Sequence, residues 1–212
     1  MQNRVLPFAL LLLFSLHWHC GGDSKSDSLA LALLIPNRSC LVLPKTVQRQ
    51  DSSTTTYQCS VSGLVYTCID SSGSSYVRTY LSVETAKLGL IEAPILNSAI
   101  SQRGLESYMI LDSSNVASQH YTFIYDSSQR IVSMKDELFS LVYTYSNYDE
   151  FGFPKNGNGG TFSYTYTTGS ARPNKIAEGG FFSDYDSNGW LTHEYVGYDI
   201  YDENTGTLEI CD

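Results

Sequence analysis

Positive charge is scarce in this chain. Lys and Arg total 13 against 22 Asp and Glu, giving a formal net charge of −9 and a pI near 4.8. No basic run occurs anywhere, which argues against recognition of a nucleic-acid backbone, since phosphate contacts need clustered Lys and Arg. The same deficit argues against adhesion to anionic lipid headgroups through a basic patch. Histidine is nearly as scarce: beyond His17 and His19 only His120 and His193 occur, and a lone strand histidine is more often structural than catalytic. The G-x-S-x-G, H-E-x-x-H and C-x-x-C patterns are all absent. Long apolar runs are missing too, apart from Val5–Leu16; the next, "LALALLI" at Leu29–Ile35, has seven residues and is too short to span a bilayer.

The N-terminal run is informative. Arg4 is the only charge before "VLPFALLLLFSL" (Val5–Leu16), the positive n-region and short h-region of an export signal. Signal peptidase cleavage would want small residues at −3 and −1, yet His17, Trp18 and His19 stand there, followed by Cys20, Gly21, Gly22 and the polar "DSKSDS". This arrangement resembles the lipobox of bacterial lipoproteins of the spirochaete type, with departures: His19 occupies −1 and Leu16 sits at −4. The resemblance implies cleavage before Cys20, diacylation of its thiol and anchoring in a bacterial envelope, in the outer membrane. Several acyl chains at about 0.8 kcal/mol per buried CH2 suffice for that. Plain secretion and a retained leader are the alternatives. The division expected is residues 1–19 as signal peptide, 20–39 as lipidated tether and 40–212 as one β-rich domain.

With Cys20 used for lipid, Cys40, Cys59, Cys68 and Cys211 remain, an even number that suggests two disulfides with three pairings open. Cys59 and Cys68 lie symmetrically about the Gly63/Leu64 junction, so a hairpin turning at "SGLV" sets them opposite each other. Cys40 and Cys211 would then join the ends of the domain. Zinc binding by these cysteines is the weaker alternative.

From residue 121 the chain repeats a phrase: "YTFIYDSSQRIVSM", "LVYTYSNYDEFGFP", "TFSYTYTTGSARPNKI" and "FFSDYDSNGWLTHEY". Alignment on Tyr125, Tyr145, Tyr166 and Tyr185 gives a period near 20, the length of a two-stranded hairpin with its turns. Aromatics at i, i+2 and i+4, such as Tyr121, Phe123 and Tyr125, share one strand face. The units resemble YD repeats of Rhs-type proteins, Y-x-Y-D-x-x-G-R-L, with Gln129 in place of Gly and Trp190 in place of Arg; on this alignment the middle copies lack the Asp. The resemblance covers about 90 residues and implies antiparallel β scaffolds with binding or shell roles. "TTTYQCSV", "LVYTCID" and "SYVRTYLSV" also read as strands, whereas Thr85–Met109 reads as a helix or long loop.

The fold class expected is therefore mainly β, an antiparallel sheet of consecutive hairpins with few or no helices after the leader. Chemistry is thin. Asp184, Asp186 and Asn188 with Gly189 copy the start of a calcium loop, D-x-D-x-N-G, yet the twelfth position is Tyr195 and the flanks are strand-like; a hairpin turn is the other reading. "DENTG" (Asp202–Gly206) reads as a hairpin loop. The stripe Tyr125, Tyr145, Tyr166 and Tyr185 is either a packing ladder or a ligand platform. No resident cofactor is expected beyond that calcium. The function expected is non-catalytic binding of a glycan or protein ligand, with a purely structural envelope role as alternative and a hydrolase with an unrecognised site behind both.

Overall fold

The computed structural model describes residues 40–50, 53–96, 99–158, 160–195 and 199–211. Residues 1–39, which include the leader, Cys20 and the tether, lie outside the described residues. Ser39–Asp212 forms one compact unit.

Among the described residues fourteen strands follow one another. The first seven are β1 (Cys40–Gln50), β2 (Thr54–Ser62), β3 (Val65–Ile69), β4 (Ser75–Tyr80), β5 (Leu105–Leu111), β6 (Ala117–Tyr125) and β7 (Ile131–Asp136). The rest are β8 (Leu141–Tyr148), β9 (Pro154–Gly157), β10 (Gly160–Tyr166), β11 (Pro173–Glu178), β12 (Phe181–Tyr185), β13 (Leu191–Tyr195) and β14 (Asp199–Cys211). Each pairs antiparallel with its chain neighbours, and β1 pairs with β14, so the meander closes into a barrel without edges. The mainly β, consecutive-hairpin architecture is as the sequence patterning indicates.

Period-2 alternation orients the strands. In β2, Tyr57 and Cys59 are buried while Thr54, Thr56, Gln58 and Ser60 face water. The interior holds Leu43, Val47, Tyr66, Leu105, Tyr108 and Ile131, almost wholly removed from solvent. Burying an aliphatic side chain of this size contributes about 1.5–3 kcal/mol.

Because every connection reverses direction, loops alternate between two rims. The near rim carries Cys40, Cys211 and the connections after β2, β4, β6, β8, β10 and β12; the far rim carries the rest. One near-rim connection is long. After β4, residues 81–96 and 99–104 turn inward through a short helix α1 (Val83–Ala86), capped by the Ser82 hydroxyl, and a 3-10 turn at Ala99–Ser101. Leu90 to Pro94 and Ala99 to Gly104 are buried. Ile91 even forms a parallel bridge with Trp190. This segment is a plug in the lumen, and Gly104 at its exit has φ +65°, where a Cβ would lie 2.6 Å from the Ala86 backbone nitrogen.

The plug refines the expectation for Thr85–Met109. Its first part is helix and loop, but Leu105–Met109 belongs to β5 and pairs with β4. "DENTG" needs a fuller correction: Asp202–Gly206 is no loop but the middle of β14, where Asp202 faces Arg49 and Thr205 faces Thr46 on β1. Asp202–Thr205 are held extended there because the ladder to β1 closes the barrel and Asp202 meets a buried arginine, while Gly206 keeps a turn-like φ of +64° within the strand.

The cysteines form Cys59–Cys68 and Cys40–Cys211 bonds. The first sits on the β2–β3 hairpin, whose loop is the Gly63-Leu64 pair with Gly63 at φ +57°. The second joins β1 to β14 at the near rim.

Five tight turns share one construction. At Asp70, Asp112, Asp126, Asp149 and Asp186 the Asp backbone N–H donates to the carbonyl four residues on, and its carbonyl accepts from the N–H three residues on. The Asp side chain accepts N–H bonds from the residues two and four positions later. The fourth position has positive φ and is Gly73, Asn115, Gln129, Gly152 or Gly189. The turn of the second repeat is thus Tyr148-Asp149-Glu150-Phe151-Gly152; the alignment on Tyr145 was three residues out of step, and that copy does keep its Asp.

Candidate functional site

The lumen is filled, first by the plug and then by charge. Glu92, on the plug, accepts the Tyr185 hydroxyl at 2.5 Å and the Ser101 hydroxyl at 2.9 Å. Burial and the neighbouring Glu92 charge hold the Tyr185 phenol far above its ordinary pKa. Arg78 reaches Pro94 O at 3.1 Å and lies over the Tyr108 ring at 5.1 Å; burial pushes the Tyr108 phenol up to about 12. Arg103, at the plug exit, donates to Phe151 O and stacks on Phe153 at 4.6 Å.

Toward the far rim, Arg49 pairs with Glu194 at 2.7 Å and Asp202 at 3.5 Å, all three buried. Burial raises the Glu194 carboxyl and Arg49 opposes it, with the upward effect winning. Burial and the Glu92 charge raise Glu178 as well. Charged groups this deep rigidify a structure when paired and are costly when one partner is removed.

The four repeat tyrosines point into this interior. Tyr125 donates to Leu105 O at 2.9 Å and receives Leu105 N–H at 3.0 Å. Tyr145 is half-buried and packs against the apolar interior. Tyr166 donates to the Asp149 carboxylate and packs on Phe151 at 4.6 Å. Tyr185 is 6% exposed. They tie strands and plug together, Tyr125 through Leu105, Tyr166 through the Asp149 turn and Tyr185 through Glu92.

The candidate calcium ligands have protein partners. Asp184 faces Lys175 at 3.3 Å, and Asp186 is engaged by Asn188 N–H, Trp190 N–H and the Asn188 side-chain amide as a turn. Among the described residues, the metal-ligand groups that cluster are Cys40, Glu209 and Cys211, whose sulfurs are joined in the disulfide. His193 lies opposite Asp184 on β13 and β12, and His120 opposite Met109 on β6 and β5. Cys20 lies outside the described residues.

Concavity appears on the near rim. Two clefts of about 360 and 190 Å3 share Arg172 and Ser187, so they are two sides of one depression. Thr167, Asn174 and Asp186 line the larger, and Lys87 lines the smaller. Arg172 is held at both ends: the Ser170 hydroxyl donates to its carbonyl at 2.7 Å and accepts its N–H at 3.1 Å, while its Nη1 donates to Asn188 O at 2.8 Å. The sequence reading passed over this arginine. Its signal is a departure: the β10–β11 connection, "TTGSAR", has Thr167 where the other near-rim repeat turns have Asp, and runs one residue longer to end in Arg172.

No protein-family model matches the chain, and no curated protein matches it.

Proposed function

We propose that the chain is a lipoprotein anchored in a bacterial envelope, in the outer membrane, by lipid on Cys20, and that its β body is a non-catalytic binding module for a glycan or protein ligand. The observation that supports the second half is the near-rim cleft of about 360 Å3, lined by polar side chains around Arg172. The two disulfides support export, since such bonds persist in oxidising compartments. The Asp turns support kinship with YD-repeat scaffolds.

The anchoring half is tested by metabolic labelling with a lipid precursor and mass spectrometry of the N-terminal peptide. Acylation should vanish in Cys20→Ser, and an unacylated wild-type Cys20 would sink it. The binding half is tested by titrating the full chain against envelope glycans and host matrix proteins; an absence of saturable binding to all of them would reject it.

A second reading, a structural envelope component, is favoured by the far rim. Phe139, Phe181, Leu138 and Leu141 are exposed there at two hairpin tips. Cross-linking in intact cells that captures defined envelope partners through Phe139 and Phe181 would favour this reading, and a chain recovered only as a monomer would reject it.

A further inference from the structure

The geometry points to the near-rim depression around Arg172 as a binding site for an acidic saccharide, with the guanidinium taking the sugar carboxylate and the surrounding hydroxyl and amide groups taking its hydroxyls. This rests on the binding-module reading above and names its ligand class.

Four observations carry it. First, local chemistry runs against the global charge. In a chain of net −9, Arg172 lines both clefts of the depression, and Asp186, the acidic side chain lining the larger, has its oxygens engaged by three N–H donors. Second, Arg172 is preorganised. Ser170 holds its backbone, Asn188 O holds Nη1, and Gly189 at φ +81° packs so closely that a Cβ would lie 3.0 Å from Nη1. A guanidinium fixed in this way still offers N–H groups in the planar fork that suits a carboxylate, and little side-chain entropy is left to lose on binding.

Third, the larger cleft, about 360 Å3, falls within the roughly 300–1,000 Å3 of small-molecule sites. Fourth, Thr167, Asn174 and Ser187 are exposed hydroxyl and amide side chains around it, groups that exchange hydrogen bonds with sugar hydroxyls.

The test is calorimetric titration of the full chain with a galacturonic acid trisaccharide, its neutral galactose counterpart and inorganic phosphate. The expected result is saturable binding of the uronate, at least tenfold weaker binding of the neutral sugar and of phosphate, and a tenfold or greater loss in Arg172→Gln. Ser187→Tyr, which fills the depression and leaves Arg172 in place, should weaken binding similarly; circular dichroism and thermal melting check that both variants fold. Absence of uronate binding, equal affinity for the neutral sugar or for phosphate, or full affinity in Arg172→Gln would each overturn the site. If another glycan or a matrix protein binds equally well to wild type and Arg172→Gln, the binding-module reading stands and this site alone falls.

Discussion

The two rims of the barrel are built from the same strands yet differ in almost every other respect. The near rim gathers Cys40, Cys211, the plug, three of the five Asp turns and the Arg172 depression. The far rim has shorter tips, such as Gly179-Gly180, and exposes Phe139, Phe181 and Leu138 to water. The lumen is graded the same way, with chain packed behind the near rim and an arginine between two carboxylates toward the far one. The cause is topological: in a closed meander every second connection falls on one side, so a repeat of two strands delivers its turn to the same rim each time.

The largest effect should come from opening the near rim. Replacing Cys40 and Cys211 by Ser releases a closed loop of 171 residues and is expected to lower stability by about 5 kcal/mol, against about 3 kcal/mol for the nine-residue separation of Cys59 and Cys68. Urea unfolding of the two double mutants measures this, and equal losses would mean that chain closure at the near rim is not what the bridge supplies.

Removing the cation from the far half of the lumen comes next. Arg49→Ala leaves Glu194 and Asp202 buried without it and is expected to cost about 3–5 kcal/mol. A loss below 1 kcal/mol by urea unfolding would show that water enters from the far rim and solvates the carboxylates.

The Asp turns allow a direct contrast between the rims. Asp149→Ala removes two turn bonds together with the Tyr166 contact, so a loss of about 2–3 kcal/mol is expected; Asp112→Ala on the far rim removes only turn bonds, about 1 kcal/mol. Equal thermal shifts in the two variants would remove the distinction.

The pH dependence should be smaller and have two limbs. Glu178 and Glu194 have raised pKa values in the fold, so the folded state holds their protons longer. Their contribution to stability therefore falls as pH rises from the ordinary carboxylate range through the raised values. Asp126 is lowered by its bonds from Arg130 and acts oppositely, adding stability that is lost as pH falls. A stability maximum at mildly acidic pH is expected, and Glu178→Gln should flatten the alkaline limb; an unchanged slope in that variant would refute the assignment.

The smallest effect belongs to the exposed far-rim tips. Phe139→Ser and Phe181→Ser should change stability by about 0.5 kcal/mol or less, while reducing retention on a hydrophobic matrix. A loss above 2 kcal/mol in the melting analysis would mean that these rings are packed.

Much of the β scaffold was legible because its signals are local. Alternation in "TTTYQCSV" orients β2, and the symmetric spacing of Cys59 and Cys68 about Gly63-Leu64 sets a two-residue hairpin. "DSSQ" and "DSNG" name their turns because an Asp side chain closes them without help from elsewhere. The Tyr145 alignment failed because Tyr recurs at 143, 145 and 148, and only the turn geometry shows that Tyr148-Asp149 corresponds to Tyr125-Asp126. The rim site was illegible because Arg172, Ser187 and Asn188 meet only when β10–β11 and β12–β13 stand side by side.

By itself the sequence determined a run of antiparallel hairpins with a period near 20, its turns, and an acidic net charge of −9, since each depends on neighbouring residues or on simple sums. Only the tertiary structure decided the closure of β1 on β14, the inward course of residues 81–96 and 99–104 and the extended form of Asp202–Thr205. Those outcomes depend on pairing residues some 170 positions apart around a lumen that has to be filled, and no local pattern encodes which chain segment fills it.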